Sequence, residues 1–251
     1  MRYAIFSDVH AYPQSLEKVL SDAESQNVDL RICLGDVVGY GPDPVGAVKL
    51  CREACDTVIA GNHDAAVTRQ IGTMFFIPRA QKAVARHRKM LDGKDIEWLS
   101  SLPMCMLNDG FAAAHGEFHR HWRETEAGFG YVISESDAKR TLDALPPDVQ
   151  LVFVGHTHAA CVWCMDGDKA RFMAPSDFSV KAGARYVVNV GAVGYPRYHL
   201  ETNYVIYDSE AHTVAFRHIP FDFDDYCRRL NEADIDYPLW LTDYLHKTEE
   251  A

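Results

Sequence analysis

The chain has 251 residues, 47% of them hydrophobic and 24% charged, ordinary globular values that exclude a disordered or fibrous protein. Its 25 Lys and Arg against 36 Asp and Glu leave a formal charge of −11, the wrong sign for a protein with an extended nucleic-acid surface. The acid is unevenly placed: residues 221–251 carry nine acidic and three basic side chains, more than half of the net charge.

Taken in chain order, Tyr3 to Phe6 is a short apolar strand, and residues 13–26 show helical spacing through Leu16, Val19, Leu20 and Ala23, with Pro13 suited to a first turn. Leu30 to Leu34 is a second strand, 43–53 a second helix and Thr57 to Ala60 a third strand, which implies parallel strand-helix-strand crossovers. Helical stretches over 78–91 and 95–101 follow. From Met104 the pattern turns strand-rich, over 104–107, 111–114, 151–154, 160–165, 169–173, 186–190, 203–207 and 212–218, with a helix at 135–144 closed by Pro146 and Pro147. The expected fold class is α/β, with two mixed sheets packed face to face and helices outside them, a four-layer α/β/β/α sandwich. One domain over 1–220 is expected, followed by an acidic C-terminal extension, 221–251. Its aromatic residues Tyr237, Trp240 and Tyr244 would dock it on the domain or on a partner subunit.

No apolar run reaches the roughly 18 residues of a membrane span, and the apolar start is too short for a signal peptide. Seven cysteines without an export signal predict reduced thiols and a cytoplasmic location. Cys161 and Cys164 fall in a predicted strand, where positions three apart face opposite sides, so they read as buried free thiols and not as a zinc pair.

Chemistry-bearing residues follow the strands directly. The first strand runs into Asp8 and His10, the second into Gly35-Asp36, the third into Gly61-Asn62-His63-Asp64. The strand at 111–114 ends in His115-Gly116 and that at 151–154 in Gly155-His156-Thr157-His158. Ligand sites of parallel sheets lie beyond the carboxyl ends of the strands. Any one of these residues has a bland explanation as a cap or a surface histidine. Five coincident clusters of Asp, His and Asn are a metal-site inventory.

In that order, from residue 8 to 158, the clusters resemble the motif series of the calcineurin-like metallophosphoesterases. Gly35 to Pro44 and Asn189-Val190-Gly191-Ala192-Val193-Gly194-Tyr195-Pro196-Arg197 are similar to stretches of the small bacterial and archaeal phosphodiesterase-like members, with Val190 and Ala192 standing where those carry Pro and Ser. The resemblance covers residues 1 to about 220. It implies two divalent ions, manganese first, with iron, zinc, cobalt or nickel as alternatives. Asp8, His10, Asp36 and His158 would hold the first, and Asp36, Asn62, His115 and His156 the second. Asp36 would bridge them, since a carboxylate has two oxygens, and His63 would protonate the leaving oxygen.

The implied reaction is hydrolysis of a phosphodiester, or of a phosphomonoester, by in-line attack of a hydroxide held between the ions. Asn189, Gly191 and Arg197 are candidates for contact with a small phosphate ester. So is Arg120, within Glu117 to Arg123, a stretch that otherwise reads as a solvated loop. A Ser/Thr protein phosphatase or dinucleoside tetraphosphatase is the alternative, but Asp36 is followed by Val37-Val38-Gly39-Tyr40 where the phosphatases have Val-Asp-Arg-Gly after one intervening residue. A non-catalytic binding scaffold is more distant, because every expected ligand is present. A homo-oligomer is compatible with all of this.

Overall fold

The computed structural model describes residues 1–238 and 241, apart from 109, 122–123, 168 and 198–200, and describes the backbone alone at 120, 121, 124, 125 and 169. Its first half runs β1 (Arg2–Phe6), α1 (Pro13–Ser25), β2 (Leu30–Cys33), α2 (Pro44–Ala54), β3 (Thr57–Val58), α3 (Asn62–Val67), α4 (Pro78–Met90), α5 (Gly93–Ser100), β4 (Cys105–Asn108) and β5 (Phe111–Ala114). Then come β6 (Phe118–His121), β7 (Glu124–Ala127), α6 (Glu135–Asp143), β8 (Leu151–Val154), β9 (Cys161–Asp166), β10 (Lys169–Met173), β11 (Phe178–Ser179), β12 (Arg185–Asn189), β13 (Glu201–Asp208), β14 (Thr213–Pro220) and α7 (Phe223–Glu232). The helix starts are set by local chemistry. Pro13, Pro44 and Pro78 each begin a helix where no backbone N–H is needed, and the Asp43 carboxylate accepts from the Gly46 N–H to cap α2.

Two six-stranded sheets form, in the orders β11-β14-β13-β1-β2-β3 and β10-β9-β12-β8-β5-β4. Each has three parallel strands in a row: β1-β2-β3 at one edge of the first sheet, with antiparallel β13 beside β1, and β12-β8-β5 in the middle of the second, between antiparallel β9 and β4. Strand alternation separates the cores. Tyr3 and Ile5 of β1 join Phe111, Leu151, Phe153 and Val188 between the sheets, while Ala4 and Phe6 pack against α1 and α2. On the second sheet Ala112, Val152 and Val187 face α6. The result is the four-layer α/β/β/α sandwich.

The chain does not divide into a parallel N-terminal half and a strand-rich C-terminal half as its pattern suggests. β13 and β14 return to the first sheet and pair beside β1, and the second sheet has its own parallel centre. This distinction is long-range pairing, which no local period records. A smaller difference lies at β6 and β7: residues 118–121 pair antiparallel with 124–127, and Phe118 is buried against the α6 side, where the polar composition reads as a loop. Asn62 opens a six-residue helix, α3. After β14, Tyr226 and Leu230 of α7 pack with Phe221, Leu241 and Tyr12, and Tyr12 Oη donates to Asp225 Oδ2 at 3.0 Å. Trp240 and Tyr244 lie outside the described residues. The seven cysteines are unpaired, with Cys161 and Cys164 buried. Among the described residues, no helix is long and apolar enough to cross a membrane.

Candidate metal centre and its cleft

The parallel centres of both sheets end at one edge, and the loops leaving them interlock. The Asp8 N–H donates to Gly35 O at 3.0 Å, the His10 N–H to Asp36 O at 2.9 Å and the Gly155 N–H to His115 O at 2.9 Å. Tight turns at these strand ends put non-glycine residues in the left-handed region: φ is 59° at Asp8, 47° at His10, 50° at Asp36, 67° at His156 and 60° at His158. Such conformations are uncommon outside glycine and persist where the surroundings over-determine them. Gly61 and Gly155 supply the clearance. A Cβ on Gly61 would lie 2.1 Å from Asp36 N, and one on Gly155 would lie 2.0 Å from Ser7 Oγ.

The side chains so delivered form two nests of acceptor atoms, all buried. In the first, His10 Nδ1 donates to Val38 O at 3.1 Å and His158 Nδ1 donates to Tyr195 O at 2.7 Å, because a carbonyl can only accept. Each neutral ring then presents a bare lone pair at Nε2, yet the two Nε2 atoms face each other at 3.0 Å. Asp8 Oδ1 is 3.1 Å from His158 Nε2 and 3.5 Å from His10 Nε2, and it has no hydrogen-bond partner. Three converging lone-pair donors repel one another unless a cation sits among them, so the nest fits a divalent ion.

In the second nest His115 Nδ1 donates to Leu34 O at 2.9 Å, turning Nε2 inward. There it is 3.1 Å from His156 Nδ1, 3.2 Å from Asn62 Oδ1 and 3.3 Å from Asp36 Oδ2. This set too could hold a divalent ion, and the outer nitrogens tied to backbone carbonyls are the supports that orient ligating histidines. Asp36 faces both nests, with Oδ2 3.7 Å from His10 Nε2. Its other oxygen, Oδ1, accepts from the His63 N–H at 2.8 Å, which fixes the carboxylate in this orientation.

The electrostatics follow from crowding charges out of water. Burial opposes ionisation of Asp8 and Asp36, but His158 beside Asp8, and His115 and His63 beside Asp36, hold both carboxyls below the usual range. Burial also opposes a proton on His115, yet Asp36 pushes that group up to about 9. That proton occupies the position a cation would take. Burial, followed by the charge of His115, lowers His156 to about 3.

The remaining expected residues separate by position. His63 is buried at the head of α3, its ring 5.1 Å from that of His10, with Nδ1 lacking a hydrogen-bond partner. Burial pushes it down to about 3, with Asp36 acting in the opposite sense. Arg197 lines the cleft over the nests. Asn189 does not: its Nδ2 donates to Gly155 O at 2.7 Å and to Thr157 Oγ1 at 2.9 Å, and its Oδ1 accepts from the Gly191 N–H at 3.0 Å. Asn189 and Gly191 therefore shape the loop that carries His156 and His158. The Arg120 side chain lies outside the described residues.

Several further residues complete the site without a role assigned from the sequence. Asp64 accepts from the N–H groups of Gly61, Val37 and Val38, and burial with Asp36 nearby raises it to about 7. His87 of α4 is fully buried; its Nδ1 accepts from the Gly39 N–H at 3.1 Å and its Nε2 donates to Gly41 O at 3.0 Å. It thereby clamps the turn on which Tyr40 stacks against Tyr195, with ring centroids 4.3 Å apart. Tyr131 stacks on His156 at 4.1 Å. The cleft, of about 860 Å³, is walled by these tyrosines, by residues 71–82 and by Asp236 and Tyr237. Tyr40 and Tyr195 lie in the stretches that resemble the family, whereas Tyr131 and residues 71–77 carry no sequence signal for this wall.

The chain is similar to known proteins along almost its whole length. A solved metallophosphoesterase from Sphaerobacter thermophilus is 31% identical, with a TM-score of 0.77 over 96% of this chain and 97% of its own. An uncharacterised protein of Methanocaldococcus jannaschii is 24% identical over 96% of both chains. A hypothetical protein of Pyrococcus horikoshii, 15% identical, shares the fold with a TM-score of 0.69 over 97% of both chains. Residues 1–160, which hold both nests, match the calcineurin-like phosphoesterases, and the chain belongs to that family of hydrolases.

Proposed function

We propose that the protein hydrolyses a small phosphate ester, with a preference for phosphodiesters, using two divalent ions. The observation that carries this reading is the pair of buried acceptor nests sharing Asp36 Oδ2, since lone pairs at 3.0–3.3 Å call for cations. Asp8, His10, Asp36 and His158 would hold one ion, and Asp36, Asn62, His115 and His156 the other. When bound, such ions lower the pKa of coordinated water and neutralise phosphoryl charge, with manganese first among the candidates.

The chain's own groups do the rest. His63 lines the cleft beside the shared carboxylate, placed to give a proton to the departing ester oxygen. An anionic phosphate nearby would raise its affinity for that proton. Arg197, on the wall, would grip phosphate oxygens and orient the ester. A cleft of about 860 Å³ has small-molecule size, which favours a compact ester over a phosphoprotein.

The test is hydrolysis of bis-p-nitrophenyl phosphate and p-nitrophenyl phosphate after metal removal and after readdition of Mn²⁺. The reading expects no turnover without metal, recovery with it, and faster cleavage of the diester. Metal-loaded protein inert toward both esters would overturn it. His63→Ala should lower kcat about a hundredfold or more while leaving KM near its original value.

A further inference from the structure

We propose that the outer cleft selects esters whose phosphate is joined to a flat ring, and that Tyr131 is the surface on which this ring stacks. The inference rests on the phosphoesterase reading and specifies the substrate class.

Tyr131 lies in the connection between β7 and α6 and packs one face on His156, with centroids 4.1 Å apart and planes 8° from parallel. It is nonetheless 48% exposed, within a cleft that it lines together with Arg197. A ring stacked on a candidate metal ligand, with surface still open, is fixed in place and offers an aromatic face beside the phosphate position. Phe75, 92% exposed, lines the same cleft and buries almost nothing in the free protein. Phe129 adds an edge contact to His115 at 6.1 Å. Apolar surface held open at a catalytic cleft marks what the ligand brings.

Charge completes the description. Among the described residues, Arg197, Arg79 and Lys82 line the cleft. Arg79 donates to the Asp236 carbonyl, which leaves its charge in place, and Lys82 Nζ is 3.8 Å from Asp236 Oδ2. The outer cleft thus sets open rings beside positive charge, and it suits an anionic phosphate carrying an aromatic substituent.

Two phosphonates of equal charge and similar size test this without turnover. Phenylphosphonate and cyclohexylphosphonate are titrated calorimetrically into the Mn²⁺-supplemented full chain. The wild-type protein should bind the phenyl compound about tenfold more tightly, from ring stacking. Tyr131→Leu should abolish that preference, and Tyr131→Phe should retain it. Equal affinities in the wild type, or a preference unchanged in Tyr131→Leu, would overturn the proposal. Because the readout is binding, inert protein that still prefers the phenyl compound would defeat the hydrolase reading alone, and active protein without the preference would defeat this one alone.

Discussion

The acceptor nests and the cleft that leads to them are held in place by different means. Asp8, His10, Asp36, His115 and His158 are almost wholly buried at the ends of parallel strands, and each has its backbone or its outer ring nitrogen fixed by hydrogen bonds. The cleft wall comes from connections: residues 71–77 before α4, Phe129 and Tyr131 before α6, and Asp236 with Tyr237 after α7. Its side chains are half-buried or open to solvent. The centre is built to hold charge at short range, and the wall is built to meet a ligand. Loops on a rigid scaffold divide labour in this way because exposed connections tolerate change that a converging donor set does not.

The largest expected effect lies in the centre. Asp36→Asn keeps the shape and the bond from the His63 N–H but removes the charge facing both nests. It should lower kcat on bis-p-nitrophenyl phosphate about a thousandfold and reduce bound metal measured by elemental analysis. A variant with full metal content and full activity would place the chemistry elsewhere in the cleft.

The next effect tests whether the C-terminal segment belongs to the wall. Tyr226 of α7 is fully buried beside Tyr12, which follows the His10 turn directly. Tyr226→Ala should lower unfolding stability by about 3 kcal/mol, as expected for loss of a large core ring. Urea denaturation with an unchanged midpoint would mean that residues after 221 pack too loosely to shape the cleft.

His87 connects the two regions, because α4 starts at the cleft wall and clamps the Gly39–Gly41 turn further along. Burial, reinforced by the charge of Arg86, pushes its imidazole down to about 3. The unfolded chain, with an ordinary histidine pKa of about 6.5, therefore takes up a proton that the folded protein refuses between those values. Stability should fall as the pH drops below about 6.5, with this group costing about 2 kcal/mol by pH 5. His87→Gln keeps a donor and an acceptor, does not titrate, and should remove that part of the acid-side loss. Denaturation curves for the two proteins that shift in parallel between pH 7 and pH 5 would exclude His87 as the cause.

The same contrast explains what the sequence reveals. Asp8, His10, Asp36, Asn62, His63, His115, His156 and His158 are legible because each directly follows an apolar strand, and parallel strands bring their ends together. The short apolar runs of β1, β5, β8 and β12, set among helices and further strands, likewise make two packed sheets readable. Tyr131, Phe75 and His87 were not legible. Their places depend on which connection crosses the sheet edge, and an isolated aromatic or histidine reads as packing or as surface. Asn189 illustrates the limit from the other side. It ends a strand close to where the metal-site residues begin, yet its amide is consumed beneath the loop that carries His156 and His158, a use that only three-dimensional pairing discloses.

Arg197 is where the distinction between centre and wall can be broken most directly. It lies in the cleft near Tyr131 and His158; burial raises the pKa of the Tyr131 hydroxyl and lowers that of His158, and the Arg197 charge acts downward on both. It forms no ion pair among the described residues. A guanidinium on the wall should attract a phosphate anion before reaction as strongly as during it, and such uniform binding appears in KM and not in kcat. Arg197→Ala is therefore expected to raise KM about tenfold, near 1.4 kcal/mol for a partly exposed charge-assisted contact, with kcat little changed. Arg197→Lys should recover part of the loss, since an ammonium keeps the charge but not the paired donors. If instead kcat fell and KM held, Arg197 would act only as charge builds on the reacting phosphate. The boundary between centre and wall would then have to be drawn on the other side of this residue.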